Sequence, residues 1–147
     1  MLSDLLRLKE LFDEAIELRR EHDRLIARAD RLLDELRSFF ASGPISTKEI
    51  AVPVDYKCGD EGFKHILSID RLTIYEVRED GRLWKCGPYS PIEALNIIFS
   101  KVPELIEAVE RFKTTEKAKI EKVKEYLDMV EEVLEPLRVV KKLKGDQ

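Results

Sequence analysis

Two long stretches of the chain repeat their apolar residues every three to four positions, and the segment between them repeats at every second position. In the first stretch Leu11, Leu18, Leu25, Leu32 and Phe39 recur one heptad apart, with Leu8, Ala15, His22, Ala29 and Leu36 interleaved in the a/d manner. A third row of Leu5, Phe12, Ile26, Leu33 and Phe40, interrupted by Arg19, widens the seam. This pattern predicts a helix over 3–42, begun by Ser3 and Asp4 and stopped by Ser42, Gly43 and Pro44. A three-row stripe suits a bundle better than an isolated two-stranded coil.

From Lys48 to Gly87 the period becomes two, the signature of half-buried strands. Ile50, Val52, Val54 and Tyr56 alternate first, and Phe63, His65, Leu67 and Ile69 follow the turn-rich run from Cys58 to Gly62. A third strand spans roughly Leu72 to Glu79, and the Asp80-Gly81 turn leads into a fourth over Arg82 to Cys86. Four strands in an antiparallel meander over 45–89 is the simplest arrangement. Pro53, which has no amide to donate, places the first strand at an edge.

The second helical stretch opens on Ser90, Pro91, Ile92 and Glu93, a capping-box pair with proline at the first helical position. Its apolar stripe runs through Leu105, Ile106, Val109, Phe112, Ile120, Val123, Leu127, Val130, Leu134 and Leu137. Pro103 and Pro136 predict kinks in a helix over 91–140, with a frayed polar tail over 141–147. The expected architecture is therefore α+β and a single domain over 1–147: a long helix, a small four-stranded meander and a long kinked helix. The two terminal helices are expected to pack as a coiled-coil-like hairpin or bundle.

Composition adds a setting. The chain is 147 residues long, 44% hydrophobic and 38% charged, values that exclude a disordered or membrane-spanning chain. Asn96 and Gln147 are its only side-chain amides, a bias that points to a thermophilic, archaeal source. The net charge of -4 is spread along the whole length, so no basic footprint for nucleic acid stands out. With no long apolar run at the start, the expected location is the cytoplasm, away from any membrane.

Candidate chemistry is sparse. Cys58, Cys86, His65 and His22 exhaust the soft metal ligands, but each cysteine stands alone before a glycine, without the close pairing of a zinc knuckle. A simple meander places Cys58 and Cys86 at opposite ends of the sheet, so no disulfide, no metal and no cofactor is expected. Asp60 and Glu61 read as solvated turn acids, and the lysines between Lys113 and Lys124 alternate with glutamates as a solvated helix face does. No catalytic constellation emerges.

Five residues stand out for interaction. His22 is a polar group in the seam of the first helix, where it can set register or partner choice. Tyr56, Tyr75, Trp84 and Lys85 could offer a stacking and phosphate-contacting sheet face. The function expected is a non-enzymatic protein–protein interaction or scaffold protein that self-associates through its long helices. A nucleic-acid-associated accessory protein of a thermophilic archaeon or its virus, using the sheet face, is the alternative. In layout alone the chain resembles the prefoldin chaperone subunits, which also set a β-meander between two coiled-coil helices. That resemblance implies a chaperone-like role for tips built from Leu2, Leu5 and Leu6 and from Val139, Val140 and Leu143.

Overall fold

The computed structural model describes residues 1–56, 58, 62–87 and 90–145. Two helices and a four-stranded antiparallel sheet make it an α+β protein. The elements run in the order α1 (Leu2–Phe39), β1 (Ala51–Val54), β2 (Lys64–Ser68), β3 (Thr73–Val77), β4 (Leu83–Lys85) and α2 (Pro91–Gly145). The chain divides into two compact units, Met1–Ile106 and Glu107–Gln147.

In the first unit the strands follow one another across the sheet in the order β1-β2-β3-β4, the meander expected from the alternation. The register fixes the two faces. Val54, His65, Glu76 and Trp84 lie on one rung, and Val52, Leu67 and Ile74 lie two residues further along the same face. All of these except Trp84 are buried, with Leu67 and Ile74 at 0% and 1% exposure. Leu33 from α1 and Ala94, Ile98 and Leu105 from α2 are buried as well, as are Ile50 and Leu72 at the strand ends. Pro53 sits exposed on β1, an edge strand, where its missing amide breaks no ladder bond.

Local chemistry explains the junctions. The Arg78 amide donates to the Arg82 carbonyl and the Gly81 amide to the Arg78 carbonyl, closing the β3–β4 hairpin with Gly81 at φ 82°. Glycine adopts that angle without steric cost, as the Asp80-Gly81 pair predicts. Between β2 and β3 two non-glycine residues, Arg71 and Leu72, take φ values of 55° and 44°. Burial of Leu72 holds this costly conformation in place. The same turn grips the end of α1: the Arg71 amide donates to the Phe40 carbonyl at 2.9 Å, and the Ser42 amide donates to Asp70 Oδ1 at 3.1 Å.

Several boundaries differ from the sequence reading. Helix α1 begins at Leu2 with Met1 at the N-cap and no side-chain cap, so Ser3 lies inside the helix. It ends at Phe39, before Gly43, and the Phe40 carbonyl, which Pro44 has no amide to serve, accepts from the Arg71 amide instead. In α2 neither Pro103 nor Pro136 ends the helix, which runs on through Lys141 to Gly145 where a frayed tail was expected. Pro103 is exposed, and so is Phe99, whose carbonyl it leaves without an amide donor; water can serve that oxygen. Ser90 caps α2 as predicted, its hydroxyl accepting from the Ile92 and Glu93 amides, while the Glu93 carboxylate turns instead to the Tyr56 hydroxyl.

Candidate functional site

The connection between β1 and β2 brings together the soft ligands that the sequence kept apart. Cys58 and Cys86 form a disulfide, with their Cα atoms 5.6 Å apart. This corrects the expectation that the meander separates them. Continuing the register of β4, Cys86 falls opposite Ile74, level with Leu67 and Val52, its amide donating to the Ile74 carbonyl at 3.0 Å. Its side chain thereby falls on the buried face. Cys58 meets Cys86 and His65 on the buried face, its amide donating to His65 and its sulfur bonded to Cys86.

His65 lies beside this disulfide. It is 4% exposed, and its Nε2 accepts from the Cys58 amide at 3.4 Å. The His65 nitrogen and the two sulfurs all lie within 4.8 Å of one another. Directly opposite His65 on β3 is Glu76, also buried. Arg78 Nε approaches the Glu76 carboxylate to 3.3 Å without the alignment of a hydrogen bond. The Arg78 guanidinium is held instead between aromatic rings, 4.8 Å from the Phe63 centroid and 4.3 Å from that of Trp84. A cleft of about 230 Å³, lined by Pro53, Val54, Phe63, His65, Ile66 and Val77 among others, opens beside the cluster.

The residues singled out for interaction do not converge. His22 is exposed on α1, its Nδ1 3.7 Å from the Asp23 carboxylate. Tyr56 is half-buried and its hydroxyl donates to Glu93 Oε2 across 3.5 Å. Tyr75 and Lys85 are register partners and share the outer face of the sheet, whereas Trp84 pairs with Glu76 and belongs to the opposite face. Asp60 and Glu61 lie outside the described residues. Strand alternation places His65 on the face with Leu67, but nothing local in the sequence signals that Cys58 meets it there.

The second feature is the apolar surface of the helices. Along α1 Leu33 is the one buried residue, while Leu11, Leu18, Leu25, Leu32 and Phe39, the whole heptad row, remain exposed. In the second unit Ile120, Val123, Leu127, Val130 and Leu137 of α2 are exposed in the same way. No described helix is long and apolar enough to cross a membrane. No protein-family model matches this chain, and neither a curated protein nor a solved structure is significantly similar to it.

Proposed function

We propose that this protein is a non-enzymatic scaffold that self-associates through the apolar rows of its long helices, with the sheet as a rigid base. One observation carries the reading: the heptad row of α1 is open to solvent in the single chain from Leu11 to Phe39. Contiguous apolar surface of this extent marks an interaction site rather than a solvated face. The partner is a second copy, because an a/d seam is complementary to another seam of the same repeat, and each copy supplies two such stripes. The second unit adds support. It is a single helical segment whose apolar positions another helix must cover if they are to leave water.

Within that assembly the two terminal helices pack as a hairpin or across copies, and a chaperone-like use of exposed tips belongs to the same reading. The amide-poor composition supports a thermophilic archaeal source, and a disulfide is at home in the cytoplasm of such an organism. Light scattering and sedimentation over a wide concentration range test the proposal. A multiple of 17.1 kDa is expected, and a mass of 17.1 kDa throughout overturns it. The nucleic-acid reading draws no support from the sheet, where Trp84 faces away from Tyr75 and Lys85. A steeply salt-dependent shift of DNA or RNA would revive it.

A further inference from the structure

The cluster beneath the β1–β2 connection has the donors of a transition-metal site. We propose that in the reduced chain Cys58, Cys86 and His65 bind one zinc ion, and that the disulfide is the alternative, metal-free state of the same three residues. The chemistry of the donors is the first ground. Two thiolates and one neutral imidazole balance the charge of a divalent ion and form a ligand set that zinc favours, with the fourth position left to water. Cys58 is only half-buried, so that position can be reached from solvent.

Geometry is the second ground. Tetrahedral zinc with Zn–S near 2.3 Å and Zn–N near 2.0 Å holds its donor atoms roughly 3.3 to 3.8 Å apart. Here the three donor atoms already lie within 4.8 Å of one another, on Cα positions 5.6 Å apart for the cysteine pair. Opening the sulfur–sulfur bond and separating the sulfurs by less than 2 Å completes the arrangement. The third ground is the orientation of His65. Its Nε2 accepts from the Cys58 amide, so the nitrogen lone pair points to the cysteine side of the ring. Strand pairing with β1 and β3 fixes the backbone of this buried residue, which limits its freedom to turn away.

Metal and disulfide exclude each other because both use the same sulfur electron pairs. Hydrogen peroxide would interconvert them in one direction: the two thiolates give up two electrons and join, zinc leaves, and the peroxide takes up the electrons with two protons to become two waters. A thiol reductant reverses the step by reopening the bond. A zinc knuckle brings its two thiolates together through close sequence spacing, whereas here the fold brings Cys58 and Cys86 together across a separation of 28 residues.

The full chain, reduced and freed of small thiols under inert gas, is titrated with Co²⁺ as a spectroscopic stand-in and then with Zn²⁺. One equivalent of Co²⁺ should bind, with thiolate-to-cobalt charge transfer and the intense visible bands of tetrahedral coordination, and one Zn²⁺ should displace it. Peroxide should abolish the bands and release the ion, and the oxidised chain should bind neither metal. Cys86→Ser should lose the charge-transfer signal, and His65→Gln should weaken binding by more than about tenfold. Circular dichroism checks that each variant keeps its fold, and the oxidised wild-type chain serves as a control that needs no substitution. A reduced, folded chain that takes up no Co²⁺ overturns the proposal. Equal binding by reduced and oxidised chains overturns it too, and unchanged affinity in His65→Gln removes His65 from the site.

Discussion

The sheet and the long helices treat apolar residues in opposite ways. In the sheet every second residue is apolar or packed, and the face carrying Val52, Val54, Leu67 and Ile74 is closed to water by its own chain. Along α1 the apolar density is as high, yet Leu18 is 67% exposed and Phe39 77%. The same kind of side chain is thus enclosed in one region and left in contact with water in the other. A sequence pattern fixes which face an element will bury, but the number of layers a single chain can supply decides whether that face is covered.

The contrast is sharpest under matched substitutions. Leu67→Asp buries an unpaired carboxylate at a fully enclosed position and should unfold the sheet unit, a loss of at least about 4 kcal/mol. Leu18→Asp should leave the melting of the single chain within about 0.5 kcal/mol. Thermal and urea melts at low concentration check both, and similar losses would erase the distinction between the regions. Reduction comes next. The bridge spans a sequence separation of 28, so breaking it in the presence of a chelator should cost about 3 to 4 kcal/mol, read as a lower urea midpoint.

Assembly should respond in the reverse order. Leu18→Asp or Leu25→Asp should weaken self-association by about a hundredfold, the equivalent of losing roughly 3 kcal/mol of buried leucine, whereas Lys119→Asp should change it little. Sedimentation across a dilution series measures this. The smallest effect is expected at the β2–β3 turn. Arg71 is exposed at φ 55°, so Arg71→Gly should relieve backbone strain and stabilise the sheet unit by about 0.5 to 1 kcal/mol. Any loss on that substitution would mean that the Arg71 side chain contributes more than its backbone angle costs.

What the sequence disclosed follows from how local each signal is. Alternation over Ile50–Tyr56 and Phe63–Ile69, the Asp80-Gly81 turn, the edge position of Pro53 and the Ser90 cap all rest on neighbours within a few residues, and each has its counterpart in the structure. The segment after α1 is tied by a bond from the Arg71 amide to the Phe40 carbonyl, far along the chain, which the local stop signals at Gly43 and Pro44 do not carry. The cysteine pairing is likewise non-local. It depends on Cys58 lying over the buried face beside His65, and that placement leaves no mark on the residues beside Cys58 or Cys86. Among the residues proposed for stacking, alternation alone separated Trp84 from Lys85, since adjacent strand residues point to opposite faces.

The chain contains one tryptophan, and its position makes it a built-in optical probe. Trp84 lies on the same strand face as Cys86, about 7 Å along the backbone, with the Arg78 guanidinium resting on its ring. An indole so placed emits from an environment set by that cation and by the sulfur chemistry two residues away. Its fluorescence intensity and wavelength should therefore distinguish the bridged from the opened cysteines in the unlabelled protein, in real time and without any extrinsic dye.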